Sequence, residues 1–297
     1  MAAAMVAEPA WCGAPGQGTG DYDPPIMPPR CRRLAPADAT ALDALLGADP
    51  VQNVYLRSEL RLHGLRGGAW WGVENGDELA ATMLGGALIV PWLPRPDLAP
   101  SLAVGLLEQA PPRMMVGPSG HVGLLQSARR GSPAPREVRD PQPVLVLRRG
   151  DLTTDGSTGV RPGRADDLDR LTVAAAAMHH EEMGIDPLAI DPTGWRTRMG
   201  QLVERGWSWV WTERGEVLFK AELSAWTSDV VQVQGVYTAP ARRGQGVATA
   251  GMASVCAALF ETVPAISLYV NHFNVAARRV YARLGFREEA TFATLIF

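Results

Sequence analysis

Two arginines and two glycines stand between a strand-like run and a run of small, helix-forming residues in YTAPARRGQGVATA, residues 237–250. In the order strand, glycine-rich turn and helix, the first backbone N–H groups of the helix have no intrahelical partner, and the helix dipole adds partial positive charge there. Gly244 and Gly246 let the backbone curl with its amides pointing inward, and no Cβ blocks an approaching anion. The stretch therefore predicts a cradle for a pyrophosphate group.

The spacing of this loop excludes two other phosphate-binding patterns. A Walker loop requires GxxxxGK[ST], and a dinucleotide-binding turn requires GxGxxG with an acidic residue about 20 positions further on. Residues 243–248, RGQGVA, fit neither pattern and have the form RxxGxA. The alternative explanation of these six residues alone is an ordinary glycine-rich turn that caps a helix.

A second set of candidate residues lies in ISLYVNHFNVAARRVYARLGF, residues 266–286. This segment is predicted to form a short strand, a turn and a helix that ends at Gly285. Asn274, Ala277 and Tyr281 are spaced i, i+3 and i+7, so they share one helical face. On that face a ligand can lie close to Ala277, Asn274 offers a donor and an acceptor, and the Tyr281 hydroxyl can donate to a sulfur atom. The alternative for Tyr281 is a core aromatic residue.

The two motifs, in this order, resemble those of the GNAT superfamily of N-acyltransferases. The resemblance implies an acyl-coenzyme A cosubstrate, most simply acetyl-CoA, and no metal. It implies direct attack of an amine on the acyl group, with Tyr281 protonating the leaving thiolate. The residues implied to bind the cosubstrate are Val236, Tyr237, Thr238, Arg243, Gly244, Gln245, Gly246, Val247, Ala248, Thr249, Asn274 and Ala277.

The proton acceptor for the attacking amine is the open part of this resemblance. In GNAT proteins the strand before the loop separates from its neighbour after a bulge, and Gly235 is the implied bulge residue. Many members carry an acidic residue on this strand, whereas this chain has Gln232 and Gln234. Glu222, on the preceding strand, is the first candidate, because a carboxylate among apolar residues is costly unless it is used or paired. A salt bridge from Glu222 to Lys220 is an equal alternative.

The segment HHEEM, residues 179–183, ends the first predicted helix of the C-terminal half. It does not have the HExxH spacing of a zinc site. In the GNAT fold this helix end borders the acceptor groove. These residues therefore have two possible interpretations, recognition of the acceptor and a solvated helix end.

Length and an internal repeat indicate two domains. A chain of 297 residues can form two cores, and residues 159–184 repeat the order strand, turn, aspartate cap and helix that residues 31–47 show. The arrangement resembles tandem GNAT proteins typical of high-GC actinobacteria and implies an α+β fold, each domain having a mixed, mostly antiparallel sheet flanked by helices. The expected divisions are a flexible tail (1–29), a degenerate GNAT-like domain (30–149), a linker (150–159) and a catalytic GNAT domain (160–297).

The expected counterpart of the phosphate loop in the first domain is VGPSGHVG, residues 116–123, where no arginine leads in and Pro118 lacks an amide proton. This first domain is therefore expected not to hold coenzyme A.

Composition narrows the classes of function. A hydrophobic content of 46% and a charged content of 20% are those of a globular protein. The net charge of -3 provides no overall attraction to nucleic acid or to anionic membranes. Three cysteines without metal-type spacing fit a reduced compartment, and neither a signal peptide nor a membrane span is recognised, so a cytoplasmic protein is expected.

Three functions are compatible with these patterns. The leading one is transfer of an acetyl or other acyl group from acyl-CoA to a primary amine of a small molecule or a peptide. An aminoacyl-tRNA-dependent transferase with a double GNAT fold is second. Such enzymes lack an intact pyrophosphate loop and need a basic surface, whereas this chain has the loop and a net charge of -3. A sensor that binds acyl-CoA without turnover is third; the missing strand carboxylate favours it and Tyr281 disfavours it. The sequence does not specify the acceptor or the oligomeric state.

Overall fold

The computed structural model describes residues 28–297 except residues 67, 68, 130, 132 and 157. The predicted tail at residues 1–29 lies outside the described residues, apart from its last two. The strands are β1 (Arg30–Arg33), β2 (Ala69–Asn75), β3 (Glu78–Gly85), β4 (Leu88–Trp92), β5 (Met114–Pro118), β6 (Glu137–Arg148), β7 (Arg161–Pro162), β8 (Ser208–Glu213), β9 (Glu216–Trp226), β10 (Val230–Thr238), β11 (Ala265–Tyr269) and β12 (Arg287–Ile296). The helices are α1 (Ala39–Gly47), α2 (Val54–His63), α3 (Ala99–Leu107), α4 (Ser119–Ala128), α5 (Leu168–Met183), α6 (Pro187–Ile190), α7 (Pro192–Glu204), α8 (Val247–Leu259) and α9 (Val275–Leu284).

The strands form one continuous sheet in the order β1-β2-β3-β4-β5-β12-β6-β11-β10-β9-β8-β7. Strands β1 to β6 and β7 to β12 follow the same order of elements, which confirms the predicted α+β fold with two similar halves. The last strand of each half is exchanged: β6 pairs with β11 and β12, and β12 pairs with β5. The sequence boundary at residue 149 is therefore not a boundary in the sheet.

The repeat is reproduced in individual hydrogen bonds. The Arg32 guanidinium donates to both carboxylate oxygens of Asp38, at 2.7 and 2.8 Å, and Arg161 donates to both of Asp167, at 2.6 and 3.0 Å. Each aspartate also accepts the backbone N–H of the residue three positions before it. The aspartate cap predicted for the helix within residues 31–47 is corrected accordingly, because the Asp38 carboxylate caps the 3-10 turn that precedes α1.

Helix α2 of the first half packs on β9 and β10 of the second half. The Trp226 backbone N–H donates to the Ser58 hydroxyl at 3.0 Å. Arg57, which is largely buried, forms an ion pair of 2.6 Å with Asp229 in the turn between β9 and β10. The two halves are thus joined both by exchanged strands and by a helix packed across them.

One expectation about a connecting segment is wrong, and the structure adds a contact to another. Residues 116–123 lie at the end of β5 and the start of α4, so their assignment as the counterpart of the phosphate loop is wrong. The counterpart by element order is the connection between β4 and α3, residues 93–98. The predicted linker at residues 150–159 packs on α8, since a Cβ at Gly156 would lie 2.5 Å from the Ser254 backbone.

Candidate functional site

Strands β10 and β11 separate partway along their length. They pair in parallel only from Val230 to Gln232, opposite Ala265 to Ser267. The remaining residues of β10, 233–238, have no partner on this side within the described part of the chain. Opposite them, the pairing of β10 with β9 shifts between Gln234 and Tyr237, where Gly235 has a φ of 60°. The implied bulge at Gly235 is therefore confirmed, and beside it a strand edge with unpaired backbone groups opens.

A buried ion pair lies under the bulge. The Lys220 ammonium donates to a Glu222 carboxylate oxygen at 2.6 Å and to the Gly235 carbonyl at 2.9 Å. Lys220 is 0% exposed and Glu222 is 5% exposed. A Cβ at residue 235 would lie 2.8 Å from Glu222 Oε2, so the position requires glycine for space as well as for its φ. For Glu222, the structure contains the salt bridge that the sequence left as one of two alternatives.

The glycine-rich loop presents a row of unused backbone donors. The Arg243 amide donates to the Pro240 carbonyl, and the first bond of helix α8 runs from the Ala250 amide to the Gly246 carbonyl. The amides of residues 244–249, between these two, donate to no described residue. Gly244 and Gly246 have φ values of 75° and 80°, and open space surrounds both. Residues 244–246 are exposed and residues 247–249 are half-buried, so this row of amides lies at the surface, at the positive end of a 13-residue helix.

The Arg243 side chain is held beside this loop by two groups. Its Nε donates to the Thr238 carbonyl at 3.1 Å, and its Nη2 donates to the Glu181 carboxylate at 2.9 and 2.8 Å. The guanidinium carbon lies 5.8 Å from the ring centre of Tyr237. Sequence reasoning did not find the pairing with Glu181, because the two residues are 62 positions apart and no local pattern connects them.

Helix α9 carries the third set of predicted residues. The Asn274 side-chain oxygen accepts the Ala277 backbone N–H at 3.1 Å, so it caps the helix, and Gly285 ends the helix with a φ of 97°. Tyr281 is 6% exposed and its ring centre lies 5.7 Å from that of Phe286. Burial, with smaller contributions from nearby acidic groups, raises the pKa of Tyr281 well above its ordinary value. Tyr281 is therefore a protonated phenol, and its hydroxyl has no hydrogen-bond partner among the described residues.

The predicted residues come together at one end of the sheet. Residues 236–238 end β10, residues 243–249 form the loop and the start of α8, and α9 packs on α8. Val236, Val247, Ala277 and Tyr281 all belong to one apolar cluster. The row of donors, the open strand edge and the protonated phenol thus belong to three elements, α8, β10 and α9, of which α8 packs on both of the others.

The first half repeats the separated strands but closes the opening. Strands β4 and β5 pair in parallel only at residues 88–89 and 114–115. His121 of α4 bridges the strand ends, because its Nδ1 accepts the Leu93 amide at 3.2 Å and its ring packs 4.9 Å from that of Trp92. Burial lowers the pKa of His121 to about 4, so the ring is neutral.

The connection between β4 and α3 lacks the donors of the second half. Pro94 and Pro96 have no amide protons, and the Asp97 carboxylate, paired with Arg95 at 2.6 Å, brings negative charge to the start of the helix. An anion would meet fewer backbone donors there, and the Arg95 guanidinium is already paired.

Two negative observations concern the described part of the chain. No three His, Cys, Asp or Glu side chains within it lie close enough together to hold a metal ion. None of its helices is long and apolar enough to cross a membrane.

Comparison with protein families now identifies the C-terminal region. Residues 174–286 match the model of the acetyltransferase (GNAT) family. This region is a GNAT domain. Residues 68–171 match a domain of unknown function, DUF4081. No curated protein matches the chain in sequence.

Solved structures similar to this chain extend the GNAT likeness over both halves. A GNAT-family acetyltransferase from Colwellia psychrerythraea is 14% identical with a TM-score of 0.57, and the match covers 90% of this chain and 99% of that one. A GCN5-related N-acetyltransferase from Sphaerobacter thermophilus is 16% identical with a TM-score of 0.59, over 90% and 95% of the two chains. A tandem GNAT protein from the clavulanic acid biosynthesis pathway is 14% identical with a TM-score of 0.56, over 91% and 98%. At these identities the matches show the fold.

Proposed function

We propose that this chain transfers an acetyl or other acyl group from acyl-CoA to a primary amine by direct attack. The observation that carries the proposal is the row of six unused amides at residues 244–249, at the start of α8 and beside the open edge of β10. Backbone amides and the dipole of a helix N-terminus together bind a pyrophosphate. The unpaired groups of residues 233–238 suit the amide groups of a pantetheine arm.

The remaining site residues take roles in the same scheme. Tyr281 supplies the proton to the leaving thiolate, because its buried phenol is protonated and its hydroxyl has no hydrogen-bond partner among the described residues. A β10 amide near the bulge polarises the thioester carbonyl. Lys220 and Glu222 hold the bulge in place, since the ammonium binds both the Gly235 carbonyl and the carboxylate.

The acceptor is proposed to be an amine of a small molecule or a peptide, used in the cytoplasm. The tRNA-dependent alternative is less well supported, because such enzymes have no use for an intact pyrophosphate loop. The sensor alternative also predicts that the loop binds acyl-CoA, and it differs from the proposed enzyme only in that no acyl group is transferred.

Calorimetric titration of the full chain with acetyl-CoA tests the proposal. The wild-type chain is expected to bind in the micromolar range, and Gly246→Pro is expected to abolish binding, because proline cannot adopt the φ of 80° at this position. Gly120→Ala is the matched control: no atom lies within 4 Å of the added Cβ, the helical φ is ordinary, and the position is in the first half.

Release of free thiol from acetyl-CoA with a panel of primary amines completes the test. Amine-dependent release supports the transferase, and binding without release by any amine supports the sensor. A wild-type chain that does not bind acetyl-CoA contradicts the proposed function.

A further inference from the structure

Three glutamates lie near the bulge of β10 and the glycine-rich loop, and two of them are paired. Glu181 binds Arg243 and Glu222 binds Lys220. The third, Glu182, has a carboxylate that forms neither a hydrogen bond nor an ion pair with any described residue. An unpaired carboxylate beside a reaction site is available to take up a proton.

The position of Glu182 follows from the packing of α5. Met178 lies one turn earlier on the same helical face, and its sulfur lies 3.9 Å from the Lys220 ammonium under the bulge. At the helix end, Arg139 of β6 donates to the Glu182 backbone carbonyl at 3.2 Å and contacts the Met183 sulfur at 3.3 Å. Gly184 then ends the helix with a φ of 67°. These contacts tie the end of α5, which carries Glu182, to β6 and to the ion pair beneath the bulge.

We infer that Glu182 is the catalytic residue that accepts the proton of the acceptor ammonium. The inference rests on the proposed function, in which an amine attacks the acyl group. It supplies the proton acceptor for which β10 offers only Gln232 and Gln234.

The surroundings of Glu182 suit this role. Its side chain keeps access to solvent, yet nearby protein removes part of its hydration and raises the pKa of the carboxylate, while Arg139 and Lys220 act in the opposite direction. The Glu182 charge in turn raises the pKa of Tyr281, so the two groups lie close enough to interact. The titratable and charged groups that face Glu182 are Glu181 on α5, Arg139 on β6, Lys220 and Glu222 on β9, Tyr269 on β11 and Tyr281 on α9.

The proton transfers balance with the residues present. The ammonium gives one proton to Glu182, and the lone pair of the resulting amine attacks the thioester carbonyl carbon. The C–S bond breaks and the sulfur takes the proton of the Tyr281 hydroxyl. The second proton of the attacking nitrogen returns to the Tyr281 phenolate, and Glu182 releases its proton to water.

The test is Glu182→Gln in the full chain, assayed by thiol release from acetyl-CoA with the best amine of the panel between pH 5 and pH 9. Glutamine keeps the size of the side chain and cannot take up the proton, so kcat/KM near neutral pH is expected to fall by about 100-fold or more. In the wild-type chain kcat/KM is expected to be level between the pKa of Glu182 and that of the amine, and to decrease as the pH drops below the pKa of Glu182. In the variant this level region disappears, because kcat/KM follows the free amine and rises about tenfold per pH unit up to the pKa of the amine. Glu204→Gln, at the exposed end of α7, is the control and keeps the wild-type profile.

Calorimetric binding of acetyl-CoA separates the two ways in which the inference can fail. Glu182→Gln is expected to bind acetyl-CoA as the wild type does. Equal binding, with kcat/KM and the level region of the pH profile both retained in the variant, overturns the role of Glu182 and leaves the proposed function standing. A wild-type chain that binds acetyl-CoA and transfers its acetyl group to no amine overturns the proposed function, and the role of Glu182 with it.

Discussion

Substitution of Lys220 tests how strongly the buried ion pair beneath the bulge stabilises the fold. Lys220 is 0% exposed, and its ammonium binds both the Glu222 carboxylate and the Gly235 carbonyl. Lys220→Met keeps most of the side-chain volume but leaves a buried carboxylate without a counter-charge and a buried carbonyl without its donor. Breaking one side of such a pair costs about 3–5 kcal/mol of the free energy of unfolding. With a urea m-value of about 2 kcal/mol/M, the midpoint is expected to fall by about 1.5 M or more.

The assay is urea unfolding followed by tryptophan fluorescence and circular dichroism, with two comparison variants. Lys220→Met combined with Glu222→Leu removes both charges and is expected to recover at least half of the loss, since replacing a whole buried pair by apolar groups is close to neutral. Arg196→Met breaks an exposed pair, with side chains 53% and 85% exposed, and is expected to cost less than about 1 kcal/mol. A loss for Lys220→Met no larger than that for Arg196→Met would refute the reasoning.

Two further substitutions test one contact in each half of the chain. Glu181→Gln releases Arg243 from an ion pair whose two side chains are half-exposed, and such a pair is worth about 0.5 kcal/mol. The freed arginine is expected to bind acetyl-CoA about twofold more tightly, as measured by calorimetry at low salt. Weaker binding would mean that Glu181 helps to place the arginine. Burial lowers the pKa of His121 to about 4 from an unfolded value of 6.5, so the unfolded chain takes up this proton first as the pH falls. The free energy of unfolding is therefore expected to decrease as the pH falls from about 6.5 to about 4, by about 3 kcal/mol at most. His121→Asn is expected to make this part of the pH profile flatter when stability is measured by denaturant unfolding. An unchanged slope in the variant would show that His121 titrates normally.

The predictable parts of the structure are those with local causes. The glycine end of α9 at Gly285 and the order of β10, loop and α8 follow from turn chemistry and periodicity, and the structure contains both. The Asn75-Gly76 pair likewise predicts the turn between β2 and β3, although the two turn residues are Gly76 and Asp77. The start of helix α3 has no distinct local signal, because the prolines at residues 96 and 100 suit a loop as well as the first turn of a helix, so the sequence does not mark this connection as the counterpart of the phosphate loop.

Features that depend on distant partners were not predictable. Strand β6 is apolar on both faces along PVLVL, so its pattern suits a central position in either half of the sheet and does not say which. Whether Glu222 acts as a base or forms an ion pair depends on two neighbours, Lys220 on the same face of β9 and the Gly235 carbonyl of β10. Their positions follow only once the register of β9 against β10 is known. The pairing of Arg243 with Glu181 depends on where the end of α5 lies.

The exchanged strands also set an order of events during synthesis. Strand β5 obtains its antiparallel neighbour from residues 287–296, which leave the ribosome about 150 residues after the first half has been made. At about 5–20 residues per second this interval lasts roughly 7–30 s. Throughout it, one edge of β5 is open to pairing with another chain, and β6 waits for β11. The half of the protein that is translated first is therefore among the last parts to be completed, and newly made chains at high concentration are exposed to mispairing between molecules at this seam.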